Sequence, residues 1–440
     1  MTYYTPGPVP LYGPDFTDDP NAVYVRLRQY GPVAPVEIAP GVTAHLVTDY
    51  RAALDLLKDT ETWSKDPRVW QETLPPDCQI LPMMKWRPNA MFNDGEAHQR
   101  YRSVITDSFS RIEPHHLRRQ VATAADQLIS EFAAAGEADL VGQYARPLPL
   151  VLFNALMGMP AHYGPRLVTA LTGLFESADT EVANKGDMDF EQYVTELITL
   201  KAQQRGNDLT SWIMDHPAAL GPEELVNQIG IAMAGGNEPT TNLISNALSR
   251  MLSNPDYYST LTNGALTARD AINDVLRNEP PLANFSAHFA RRSVSFHGTW
   301  IHANQPVLVS YHAANTAPDG LPAHSVRSGG GAHLAWAAGP HACPVKQPAL
   351  LIATAAIERL TSHLCDLELA VPRRRLTWRP GPFHRALAEL PARFTPVCAD
   401  GAGTTPGTRP SSSPPPEAIP TPKPPVGFAT APRKTPSSAP

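Results

Sequence analysis

The stretch HLAWAAGPHACPV, His333 to Val345, decides how the rest of the chain is read. Cys343 stands on a loop containing glycine and prolines, and a helical pattern opens at Ala349. A thiolate close to a helix start is stabilised by the positive end of the helix dipole and by loop N–H groups. That setting suits an anionic sulfur ligand to iron. His341, two residues earlier, is spaced to donate to a nearby anion. Most lone intracellular cysteines are buried packing residues, so this stretch alone leaves both readings open.

Three segments upstream gain meaning beside it. In NDVLRNEPPL (Asn273 to Leu282), Asp274 and Arg277 share a helix face at i,i+3, and Pro280–Pro281 forces a stop. In AMAGGNEPTTNLISNAL (Ala232 to Leu248), Gly235, Gly236 and Pro239 interrupt an apolar helical pattern. A proline there frees a carbonyl and bends the axis, which makes room for a ligand. Glu238, beside that break, is a candidate proton carrier. In NDGEAHQRYRSVITDSFS (Asn93 to Ser110), His98 and Arg102 at i,i+4 put two cationic donors on one face, fit for a carboxylate. Each piece alone is equally a kinked core helix, a helical ion pair or a solvated face.

Composition narrows the class. The chain has 440 residues, a net charge of −6 and a sequence pI near 6.2, with 42% hydrophobic residues. Mild acidity without basic clusters argues against a nucleic-acid binder. No apolar run reaches membrane-spanning length, and MTYYTPGPVP lacks the basic flank and apolar core of a signal peptide. The four cysteines form no CxxC pair, so the expected setting is a reducing cytoplasm. Prolines number 47, and positions 401–440 hold twelve of them, with Pro, Gly, Ser and Thr filling 27 of 40 positions. Such a segment buries too little apolar surface to order itself, so 398–440 is expected to be a disordered tail. The body, 1–397, reads as mainly α with a minor β part. Helices are expected over 95–109, 117–135, 148–157, 190–203, 222–252, 267–277 and 349–364, a hairpin over 33–47, and strands over 294–313. There is no βαβ alternation, and the triplet Gly329–Gly331 has no Lys-Ser/Thr after it, so no phosphate loop is expected.

Taken in order, these segments resemble the cytochrome P-450 superfamily, in its soluble bacterial class, over nearly all of residues 15–396. The family's ligand loop, Phe-Gly-x-Gly-x-His-x-Cys-x-Gly, is matched by Trp336 to Val345. SKDPRVW (Ser64 to Trp70), Gly206 to Met214 and Leu376 to Phe394 also look like family blocks. The resemblance implies the family's helical prism with a small β-sheet subdomain, and heme b with Cys343 as axial thiolate. It implies that His341, His98 and Arg102 hold the heme propionates. The usual propionate arginine after the Pro-Pro pair aligns with His288. Asp274, Arg277 and Arg327 would form the family's acid–arginine cluster. Met91, in a methionine-rich lid over Ile80 to Phe92, and Met233, Leu282 and Phe285 would line the substrate cavity.

The departures carry equal weight. Aligned without gaps, Glu238 takes the family's acid position and Pro239 the position of its threonine, whose hydroxyl helps deliver protons during oxygen activation. Thr240 is one residue on and rotated by about 100°. Ala337 and Val345 replace loop glycines. The reading implied is a monooxygenase inserting one oxygen atom from O2 into a small apolar or amphipathic molecule. Its electrons would come from a ferredoxin and its reductase, docked near Cys343 with Lys346 as a candidate contact. Two alternatives stand beside it: a peroxide-driven or rearranging heme enzyme, which Pro239 motivates, and a non-catalytic heme- or ligand-binding regulatory protein.

Overall fold

Side-chain caps and prolines set where the helices begin. Asp19 accepts from the Ala22 N–H ahead of α1 (Pro20–Leu27), and Asp49 from Arg51 and Ala52 ahead of α2 (Tyr50–Lys58). After α3 (Gly95–Ser110), Glu113 accepts from His115 and His116 to start α4 (Pro114–Phe132). The helices α5 (Pro147–Leu156), α6 (Gly164–Glu176) and α7 (Thr180–Gln203) lead to α8 (Pro222–Ser253), which spans 32 residues. Thr267 and Asp270 form a reciprocal capping box at α9 (Ala268–Asn278), and α10 (Lys346–His363) follows the cysteine loop. The computed structural model describes residues 7–176, 180–254, 267–317 and 332–397. The expected tail over 398–440, Arg327 and the triplet Gly329–Gly331 lie outside the described residues.

Strands are short and mostly near the ends of the described chain. β1 (Val9–Pro10), β2 (Val33–Ala39), β3 (Val42–Val47) and β4 (Trp63–Ser64) come before α3, with α1 and α2 between them, and β5 (Glu137–Asp139) lies between α4 and α5. β6 (Asn284–Ala290), β7 (Val294–Phe296), β8 (Thr299–Ile301) and β9 (Pro306–Ser310) come late, followed by β10 (Glu368–Leu369) and β11 (Pro391–Arg393). The main sheet runs β1-β2-β3-β9-β6-β4. The hairpin β2–β3 joins the late strands through a parallel pair, His45 opposite Val307. The register of β6 against β9 shifts between Phe285 and His288, a bulge in which Ser286 takes φ +58°.

The helices α4, α8, α9 and α10 share one core, in which Leu128, Leu248, Ile272 and Ile357 are buried. Each such side chain contributes roughly 1.5–3 kcal/mol on burial. Mainly α with a minor β region is therefore the observed class. Three expectations shift in detail. Helix α7 starts ten residues before 190 and α10 three before 349. Residues 311–313 turn into a short helix, Tyr311–Asn315, because the Ser310 hydroxyl accepts from the Ala313 N–H. The pattern gave no sign of α6 as a separate helix.

Helix α8 runs without interruption through Gly235–Pro239. Glycine at 236 answers a packing need. A Cβ there would lie 2.4 Å from the Phe153 ring of α5, so the small residue lets two helices approach closely.

Candidate active site

The cysteine loop is held by its own backbone. Cys343 N–H donates to the Trp336 carbonyl at 2.9 Å, and Ala337 N–H to the Leu334 carbonyl at 2.7 Å. Gly339 has φ +69°, and a Cβ there would stand 2.2 Å from the Leu57 carbonyl of α2. Only glycine fits where the loop presses on that helix end. Ala337, by contrast, keeps a left-handed φ of +56° although it carries a side chain. Burial pushes the Cys343 thiol up, while the Val345 N–H, Arg102 and Lys346 favour its anion. Helix α10 starts three residues after the sulfur.

The thiol opens on a cavity of about 380 Å³ with a largely apolar lining. Helix α8 forms one wall with Gly235, Glu238, Pro239 and Thr240. Of the expected lining residues, Met91, Leu282 and Phe285 are there. Met233 is not: it is 1% exposed and packs with Phe153, Phe190 and Ile229 in the helical core. Over the expected lid, Met83, Met91 and Phe92 reach the cavity while Ile80 and Met84 are buried in the sheet-side core. Lys85 and Arg87 both pair with Asp187 of α7, at 2.6 and 2.7 Å.

Glu238 is buried and bound. Its carboxylate accepts from the Arg379 guanidinium and, at 3.1 Å, from Asn242 Nδ2. Burial alone would raise its pKa, but Arg379 and His384 outweigh that and hold it below the ordinary range. His384 also lines the cavity, its pKa pushed down to about 4 by burial. The Thr240 hydroxyl donates to the Gly236 carbonyl at 2.6 Å.

One corner of the cavity is cationic. Lys65, Arg102 and His341 line it, and the His98 ring lies 3.9 Å from the His341 ring. Burial lowers the pKa of all four, Lys65 to about 7 and His341 to about 2, and their mutual repulsion adds to this at His98 and His341. Asp94 is the nearby carboxylate, and it already accepts from Ser64 Oγ and Arg291. His98 Nε2 and Trp336 Nε1 are buried without hydrogen-bond partners among the described residues. A site short of negative charge beside an apolar cavity and a thiol fits a flat apolar ring system carrying carboxylates and a thiophilic metal. Heme has that chemistry.

The remaining expected residues are placed otherwise. His288 is buried, with Nδ1–H donating to the Ser286 carbonyl at 2.6 Å, and it does not line the cavity. Asp274 accepts from Arg250 Nε of α8 at 2.6 Å and from Asn278 at 2.6 Å, in place of the expected pairing with Arg277. Arg250, on a helix packed against α9, reaches the carboxylate through its Nε. Arg327 lies outside the described residues.

Comparison with known proteins settles the class. No family model matches the chain. It is 30% identical over 391 residues to the cytochrome P450 monooxygenase PikC of Streptomyces venezuelae, covering 87% of this chain and 92% of that one. It is 28% identical to cytochrome P450 107B1 of Saccharopolyspora erythraea, over 88% and 99% of the two chains. The solved structure of CYP154A1 from Streptomyces coelicolor superposes with a TM-score of 0.77 at 26% identity, over 88% and 100%. The fold and site are those of a heme-thiolate protein. The chain belongs to the cytochrome P450 family and is a P450 monooxygenase with a heme-thiolate iron cofactor. Among the described residues no helix is long and apolar enough to cross a membrane.

Sequence reasoning missed Lys65, Asp94, Arg379 and His384. Lys65, Arg379 and His384 fall inside segments noted only as whole blocks, and Asp94 just ahead of the His98 helix, with no periodicity to give any of them a face.

Proposed function

We propose that residues 1–397 form a cytoplasmic heme monooxygenase that takes electrons from a ferredoxin and hydroxylates an apolar or amphipathic small molecule. The observation that carries this reading is the cavity of about 380 Å³, apolar except for its cationic corner, between the Cys343 loop and α8. Cys343 would be the axial ligand, and His98, Arg102 and His341 would hold the propionates. When bound, heme supplies the activation of O2, one atom going to the substrate and one to water, with two electrons and two protons consumed. Met91, Leu282 and Phe285 would position the substrate and exclude water. Glu238, held by Arg379 and Asn242, keeps a fixed anion in the α8 wall, and Thr240 keeps its hydroxyl proton on the Gly236 carbonyl. In this arrangement a water or a substrate hydroxyl would have to complete proton delivery past Pro239. Lys346, exposed at the start of α10, suits an acidic electron donor.

A second reading has its own observation. Pro239 lines the cavity and has neither hydroxyl nor N–H, which favours a peroxide-driven reaction needing no separate proton delivery. The test compares a substrate panel under two regimes: ferredoxin, its reductase and NADPH under 18O2, or hydrogen peroxide alone. Labelled product in the first regime alone supports the proposal. Product from peroxide at a comparable or higher rate favours the second reading. A reduced carbon monoxide complex without the strongly red-shifted Soret band would remove Cys343 from its role.

A further inference from the structure

We propose that Lys65 takes the part of the cation that β6 lacks, holding a heme carboxylate from the neighbouring strand. The end of β6 presents His288 where a cation is needed, but that ring is turned away from the cavity and bound to the Ser286 carbonyl. β4 pairs antiparallel with β6, Trp63 opposite Ala290 and Ser64 opposite Phe289. The next step of that register sets Lys65 beside residue 288. Its side chain, unlike that of His288, reaches the cavity next to Arg102 and His341.

Lys65 is 5% exposed and forms no ion pair among the described residues. Its ammonium donates to Ser286 Oγ at 3.2 Å and to the Ala287 carbonyl at 2.5 Å. An ammonium has three donors, so one remains for a ligand. The Asp94 carboxylate meets the Lys65 backbone N–H instead, at 3.1 Å. A cation buried on neutral acceptors alone is costly, and a carboxylate partner removes most of that cost. The two acceptors are the residues of the β6 bulge, where Ser286 takes its strained φ of +58°. Strain of this kind persists where surrounding contacts impose it. Here the lysine and the bulge hold each other: the bulge turns His288 inward and presents two acceptors that fix the ammonium at the cavity surface.

A carboxylate in that corner can belong to heme or to a substrate, and the inference commits to heme. It rests on heme being the cofactor, which the carbon monoxide spectrum reads separately. The experiment follows heme transfer from purified holoenzyme to excess apomyoglobin for wild type, Lys65→Gln and Lys65→Arg. The glutamine amide still donates to Ala287 O and tests charge apart from support of the bulge. Lys65→Gln is expected to lose heme about tenfold faster, and Lys65→Arg to stay within threefold of wild type. The propionate bending band in resonance Raman spectra is the second readout. It is expected to move between wild type and Lys65→Arg, a comparison that needs no neutral variant to fold. Wild-type heme loss in Lys65→Gln, or an unmoved propionate band in Lys65→Arg, would overturn the proposal. So would a Lys65→Gln enzyme that keeps its heme but binds decanoic acid more weakly while binding decanol unchanged, since the lysine would then serve a substrate carboxylate.

Discussion

Glu238 and Arg379, 141 positions apart in the chain, form a buried ion pair against the cavity wall. Their side chains are 6% and 15% exposed. Breaking one partner of such a pair leaves the other charge in a poorly solvated place. Glu238→Gln is expected to cost about 3 kcal/mol of stability, read as a lower urea midpoint with an unchanged m-value. A midpoint within experimental error of wild type would mean that Arg379 is held well enough by other groups.

Ala337 keeps a left-handed backbone that glycine adopts freely. Ala337→Gly is therefore expected to relieve about 1 kcal/mol and to raise the melting temperature by a few degrees. The added freedom of glycine in the unfolded chain opposes this. A lower melting temperature would show that the alanine methyl packs well enough to outweigh its strained φ.

The acid limb of stability has an identifiable contributor. Glu224 accepts from Arg100 at 2.7 and 2.9 Å, from Tyr101 and from the Gly221 N–H, and Arg100 chiefly holds its pKa down at about 2 against an ordinary 4.5. A depressed folded pKa gives stability that is whole above 4.5 and lost as pH falls toward 2. Because the pair is partly exposed, the contribution is discounted to about 1–2 kcal/mol. Glu224→Gln is expected to flatten the unfolding free energy between pH 4.5 and 2.5 relative to wild type, with parallel curves above pH 6. Parallel curves throughout would sink the assignment.

Asp187 ties the lid segment to α7 through Lys85 and Arg87. Partly exposed pairs are each worth up to about 1 kcal/mol and are weakened by salt. Asp187→Asn is expected to speed imidazole binding to the heme about fivefold in stopped-flow. Added salt is expected to speed the wild type and leave the variant unchanged. Equal rates would mean that imidazole enters without moving the lid.

Legibility followed locality. Cys343, His341, His98 and Arg102 lie in motifs confined to one loop or one helix turn; Cys343, His341 and Arg102 line one cavity, and the His98 ring packs on His341. Met233 was misplaced because α8 buries polar and apolar residues alike, so hydropathy along it does not mark which face meets the cavity. The partner of Asp274 was misread for a different reason. Arg277 is near in sequence, but Arg250 is delivered by packing of α8 on α9. Lys65 and Arg379 sit on irregular segments whose side-chain directions are set only by tertiary contacts. Pro239 does not end α8, which runs on through it.

The parallel pair of β3 with β9 joins residues 45–47 to residues 307–309. While the chain is being synthesised, one edge of the β2–β3 hairpin has no neighbour until some 260 further residues have left the ribosome. Contacts of such sequence separation form slowly, and a strand edge waiting for its partner invites pairing with other chains. The helical core joining α4 to α10 waits longer still. Slowing synthesis or supplying chaperones during recombinant production is therefore expected to raise the yield by shielding the nascent N-terminal hairpin.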